Sequence, residues 1–123
     1  MIKKVLIVED NYLVQEQLKE ILTSVFDKIK VKHAFSHSEA LDLFPQEMPE
    51  YVLMDISLTG GNSLAFLQRF KTMKPETKVI LMVNFPPNEF IMKCMDLGAD
   101  DFFEKSNIYS LLHSSSKNRI TVN

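Results

Sequence analysis

Polar side chains stand at the ends of apolar runs in this chain. Glu9 and Asp10 follow "VLIV", Asp55 follows "YVLM", Asn84 follows "KVILMV", and Glu104 and Lys105 follow "DDFF". If a fold gathered them, three carboxylates (Glu9, Asp10 and Asp55) would share a small space with one ammonium. Close carboxylates repel, and the proton affinity of at least one rises unless a cation intervenes. An all-oxygen donor set suits a hard divalent ion such as Mg²⁺, which keeps several waters and takes a carboxylate or two beside phosphate oxygens. A carboxylate can also act as a nucleophile and become an aspartyl phosphate. The moving phosphoryl group then needs Mg²⁺ and a cation such as lysine to spread its charge.

The elements that must position these residues are legible as alternating patterns. Apolar runs at 5–10, 30–36, 51–56, 78–84 and 100–105 read as strands, and the first, third and fourth are nearly continuous. Such runs suit strands buried on both faces of a parallel sheet. Between them lie helical patterns. In 11–26, Val14, Leu18, Ile21, Leu22 and Val25 fall on one face. A second helix starts from Ser36 or Ser38 as N-cap and is expected to stop at Pro45. A third spans 63–73. A fourth spans 88–97, with a stripe of Phe90, Ile91, Cys94, Met95 and Leu97 and with Gly98 just past its end. A short fifth covers roughly 107–116. Alternating strands and helices predict a doubly wound α/β sandwich, a five-stranded parallel sheet with helices on both faces and right-handed crossovers. Ligands of such sheets bind at the carboxyl ends of the strands, where the strand order reverses. The polar residues above occupy those ends.

Composition bounds the setting. The chain has 123 residues, 46% hydrophobic and 24% charged, which suits one domain with a substantial core. The reading is a single domain over 1–123, with 116–123 a tail or the start of a linker. The net charge of −2 argues against direct nucleic-acid or membrane binding as a bulk property. A single cysteine, Cys94, excludes an intramolecular disulfide framework and reads as a buried thiol. The start "MIKKVLIVEDN" is too short in its apolar run for a signal peptide. No stretch approaches the ~20 apolar residues of a membrane span. A cytoplasmic setting is expected.

The segments "VLIVEDN", "YVLMDISLTGGNSLAFL", "KVILMV" and "LGADDFFEKS", in this order, resemble the receiver domain of two-component response regulators across essentially the whole chain. That resemblance implies the strand order 2-1-3-4-5 and a flavodoxin-like sheet. It implies that Asp55 is the phosphoacceptor, charged by a histidine kinase or phosphotransfer protein. It assigns Glu9, Asp10, Asp55 and the backbone carbonyl of Ser57 to Mg²⁺. Lys105 would pair with the phosphoryl oxygens, so that Asp55 and Lys105 carry the self-catalysed chemistry. Phe102 occupies the aromatic switch position, although plain core packing suits it better. The signal would leave through the face of helix four, strand five and helix five, toward an output domain, a partner protein or a second copy of the chain.

The chain departs from that pattern at several positions. Asn84 falls where the family has Thr or Ser, and its amide brings two donors in place of a hydroxyl. Phe85 follows where a small residue is usual. Pro86 and Pro87 then stiffen the loop. Ser106 replaces a proline after Lys105, so the bond is expected either to turn trans, with Lys105 placed differently, or to keep the strain of a non-proline cis bond. Thr59 and Ser63 stand where Pro and Gly are usual. These departures motivate an alternative, a receiver-like dimerisation or docking module with little phosphorylation-dependent switching. A Mg²⁺-dependent phosphohydrolase ranks last, because Asp55 is followed by Ile56 and Ser57 and not by a second aspartate two residues on. Asp100 and Asp101 read as a solvated turn. His33, His37 and His113 read as surface or strand residues without metal-ligand spacing.

Overall fold

A computed structural model describes residues 2–57, 63–84 and 88–108. The expectations at Thr59, Phe85, Pro86, Pro87 and His113, the body of the fifth helix and the tail lie outside the described residues. Five strands, β1 (Lys3–Val8), β2 (Ile29–Ala34), β3 (Tyr51–Asp55), β4 (Lys78–Val83) and β5 (Asp101–Glu104), form one sheet in the order β2-β1-β3-β4-β5. All four pairings are parallel. Among the described residues, four α-helices alternate with them: α1 (Tyr12–Val25), α2 (His37–Glu47), α3 (Ser63–Met73) and α4 (Glu89–Asp96), and a 3₁₀ turn (Lys105–Asn107) follows β5.

The continuous apolar runs have a direct cause. Successive side chains of a strand point to opposite faces, and here both faces are covered. Leu6, Val8, Val52, Met54, Val79, Leu81 and Val83 join Ala40 and Phe44 of α2, Leu67 and Phe70 of α3, and Ile91 and Cys94 of α4 in one cluster. Val5, Ile7, Leu53, Ile80 and Met82 join Leu18, Ile21 and Leu22 of α1, with Ile108, in the other. Each fully buried aliphatic side chain contributes about 1.5–3 kcal/mol. Across α2 and α3 the rings of Phe44 and Phe70 stack with centroids 4.9 Å apart.

Local signals decide the helix ends. Asn11 caps α1, its side chain accepting from the N–H groups of Leu13 and Val14. Ser36, not Ser38, caps α2: its Oγ accepts from Glu39 N–H at 3.1 Å, while Glu39 Oε1 accepts from Phe35 N–H at 2.9 Å. Pro45 does not stop α2. It lies in the last turn, where the missing N–H costs one bond, and Met48 N–H still reaches the Phe44 carbonyl at 2.7 Å before the chain turns left-handed at Met48. Gly98, with φ of 126°, ends α4 as expected. The α4 stripe is narrower than its sequence suggests: Ile91 and Cys94 are buried, whereas Phe90 and Leu97 are exposed. Asp101 opens β5, and Asp100 is exposed, as expected, but it is also bonded. Its Oδ2 accepts from Lys71 Nζ at 2.7 Å and from Val79 N–H at 2.8 Å, tying α3 to the start of β4.

Candidate functional site

The strand order reverses between β1 and β3, so the connections leaving their adjacent carboxyl ends run to opposite sides and open a crevice at that rim. Glu9 follows β1 and is fully buried. Its Oε2 accepts the Asn11 N–H at 2.8 Å, and its Oε1 lies 2.5 Å from Lys105 Nζ. The segment is propped from beneath by Gln15 of α1, also fully buried, whose Nε2 sits 3.0 Å from the carbonyls of Ile7, Glu9 and Ala34. These carbonyls lie where β1 and β2 part, that of Ala34 also accepting the Glu9 N–H at 2.9 Å, and an amide can donate to them. The ring of His33 binds the Oε1 of the same Gln15.

Asp55 ends β3 and is 2% exposed. Its Oδ1 accepts two bonds from Ser57, from the backbone N–H at 2.8 Å and from the hydroxyl at 2.7 Å. Its Oδ2 accepts from Lys105 Nζ at 2.9 Å. Lys105 reaches in from the end of β5 and bridges Glu9 and Asp55. At the end of β4, Asn84 Nδ2 donates to Ser57 Oγ at 3.1 Å.

The charges explain one another. Burial pushes Glu9 up from the usual carboxylate range, and the nearby charge of Asp55 adds to this; the bonds from Lys105 and Asn11 only partly offset it. Burial acts upward on Asp55 too, but there the Lys105 ammonium and the two Ser57 donors win, and its carboxyl titrates below the usual 3.8. Lys105 is likewise disfavoured by burial, yet Glu9 and Asp55 hold it above the usual 10.5. One ammonium therefore serves two buried carboxylates, with the exposed Asp10 beside them. Glu9, Asp10 and Asp55 each offer a carboxylate oxygen, and these oxygens lie within 4.8 Å of one another. Hard oxygen donors with excess negative charge at this spacing fit a Mg²⁺-like cation.

The structure thus gathers Glu9, Asp10, Asp55, Ser57, Asn84 and Lys105 at one rim. Phe102 stays apart, half-buried against the core cluster beneath α4. Lys105 arrives although Ser106 follows it: its bond to Ser106 is trans, and the ammonium still reaches both carboxylates. Asn84 meets Ser57, a contact that strand-end logic did not give. Asn11, and not the Glu9-Asp10 pair before it, caps α1. The Ser57 hydroxyl was also missed, although a hydroxyl two residues after a carboxylate is a recognisable turn signal. His37 is not a surface residue. It is 3% exposed and stacks on Phe66 with centroids 4.6 Å apart, and burial lowers its proton affinity.

Comparison with known proteins agrees with this geometry. The profile of the response regulator receiver domain matches residues 5–115. Sporulation initiation phosphotransferase F of Bacillus subtilis is 31% identical over 107 residues, covering 85% of this chain and 83% of that protein. Transcriptional regulatory protein CrdR of Helicobacter pylori is 31% identical over 106 residues, covering 85% of this chain but 49% of the relative, so the chain spans about half of that regulator. The CheY-like receiver domain protein of Methanospirillum hungatei superposes with a TM-score of 0.79 at 26% identity, covering 91% of this chain and 89% of its own. With this match over most of its length and a sheet of the same order, the chain belongs to the receiver domain family of two-component response regulators.

Proposed function

We propose that this receiver is phosphorylated on Asp55. A carboxylate oxygen of Asp55 attacks the phosphorus of a phosphohistidine on a histidine kinase or phosphotransfer protein. A P–O bond forms, the P–N bond breaks, and its electron pair returns to the donor imidazole. Lys105, already on Asp55 Oδ2, follows the charge that gathers on the phosphoryl oxygens. Glu9, Asp10, Asp55 and the Ser57 carbonyl would hold Mg²⁺, which when bound supplies charge neutralisation for the transfer. The observation that carries this reading is a buried carboxylate at the end of a central strand, paired with a lysine from the end of β5 and faced by the acidic pair Glu9 and Asp10. The domain would act in the cytoplasm, as one unit, on an output domain or partner protein. Intact-mass measurement after incubation with acetyl phosphate tests it: a single Mg²⁺-dependent phosphoryl adduct supports the proposal, and none with acetyl phosphate or a cognate kinase would sink it.

A second reading, docking or dimerisation with little switching, is favoured by one observation. The α4 surface exposes Phe90, Met92 and Leu97 at 42%, 51% and 44%. A homodimer through α4 and β5 would cover them. Sedimentation of the free and phosphorylated protein separates the readings: a dimer present regardless of phosphorylation supports the second.

A further inference from the structure

The two oxygens of Asp55 are unequally free. An ionised carboxylate has about four lone-pair sites. On Oδ1 both are taken, by the Ser57 N–H and the Ser57 hydroxyl; on Oδ2 one is taken by Lys105. Holding a cation with one oxygen and bonding phosphorus with the other requires a free site on each. Something on Oδ1 must leave. The N–H belongs to the turn after β3, whereas a hydroxyl needs only a rotation about its C–O bond. Asn84 fixes what that rotation does. Its amide donates to Ser57 Oγ at 3.1 Å, so Oγ stays in place while its proton is free to find another acceptor.

We infer that Ser57 is a positioning residue for Asp55, a hydroxyl gate held by Asn84 that releases Oδ1 on cation binding and redirects its proton to an oxygen of the incoming phosphoryl group. A hydroxyl from the end of β3, steadied by an amide from the end of β4, then supplies the donor that Asn84 cannot supply as a hydroxyl of its own. This deepens the Asp55 phosphorylation proposed above and rests on it. It also makes Asn84 sensitive to the state of Asp55, because both residues bond the same oxygen atom of Ser57.

The gate acts in opposite directions on two measurable steps, which a purely structural role would not do. Ser57→Ala frees a lone pair of Oδ1, so Mg²⁺ titrated calorimetrically into the full chain binds several-fold tighter. The same variant lacks the donor to the phosphoryl group, so uptake from acetyl phosphate slows on the order of tenfold or more, the worth of a hydrogen bond to a charged group. Ser57→Thr keeps the hydroxyl and behaves as the parent in both. Asn84→Ala slows uptake less and adds nothing when Ser57 is already alanine. In metal-free protein, Ser57→Ala shifts the side-chain amide resonance of Asn84. Unchanged or faster uptake by Ser57→Ala, Mg²⁺ affinity that falls with it, or additive effects of the two substitutions would overturn the inference. If the parent takes up no phosphoryl group, the Asp55 proposal fails instead, and the Mg²⁺ and resonance measurements still decide the gate.

Discussion

Lys105 bears more of the site than any other single side chain, because its ammonium lies between two carboxylates that are 0% and 2% exposed. Removing one partner of a buried ionic group leaves the others uncompensated, at about 3–5 kcal/mol. Lys105→Ala is therefore expected to lose on that order of stability in urea unfolding with a chelator present, and to recover part of it with Mg²⁺. The pH dependence follows from the same contacts. Asp55 titrates below 3.8 in the fold, so the stability it contributes is complete above that value and is lost as pH falls through its lower folded value. Glu9 runs the other way: its folded value lies above 4.5, so protonating it relieves the fold, and the loss stays shallow until Asp55 protonates. At the alkaline end, Lys105 contributes below 10.5 and its share is lost as pH rises through its higher folded value. Unfolding curves of the parent and of Asp55→Asn across acid pH check this, and the substitution should flatten the steep acid limb. The acidic residues and the lysine were legible in the sequence as polar ends on apolar runs. The Ser57–Asn84 bond was not, because nothing in two single positions 27 residues apart tells which atoms meet.

Among the elements, sequence logic did best where one cause dominates. Strands buried on two faces announced themselves as unbroken apolar runs, and caps such as Ser36 and Gly98 marked the ends of α2 and α4. It did worst where tertiary contacts overrule local preference. Pro45 reads as a stop but lies in the last turn of α2. His37 reads as a surface residue but opens α2 against Phe66 of α3. Gln15 is absent from the apolar stripe of α1, yet it is fully buried and serves the carbonyls where β1 and β2 part. Gly98 offers a clean test at this scale. A Cβ built there would meet only Lys71 Cγ at 3.8 Å, so Gly98→Ala faces no clash, and its cost comes from the backbone at φ of 126°. The expected loss is about 1–3 kcal/mol in unfolding free energy, with the phosphoryl chemistry intact.

At the scale of the whole molecule, the fold puts Glu9, Asp10, Asp55, Asn84 and Lys105 at one end of a sheet whose two faces pack into apolar clusters. The opposite end is stitched structurally: Glu50 accepts from Lys4 N–H at 3.0 Å through its side chain and from Lys78 N–H at 2.9 Å through its carbonyl. The carboxyl end instead keeps an excess of negative charge. Such a molecule should be stabilised by a divalent cation through mass action, by about 2.7 kcal/mol at a hundred times its dissociation constant. Melting curves with and without Mg²⁺ check this, and Asp10→Asn should lose most of the gain while leaving the metal-free fold nearly unchanged, since Asp10 is exposed. No helix among the described residues is long and apolar enough to cross a membrane. The central claim is that Asp55 is the group that takes the phosphoryl. Reductive trapping with borohydride after incubation with acetyl phosphate and Mg²⁺ converts an aspartyl phosphate to homoserine, and peptide mapping locates it. The account predicts homoserine at position 55 and none in Asp55→Asn; homoserine elsewhere, or nowhere, would contradict it.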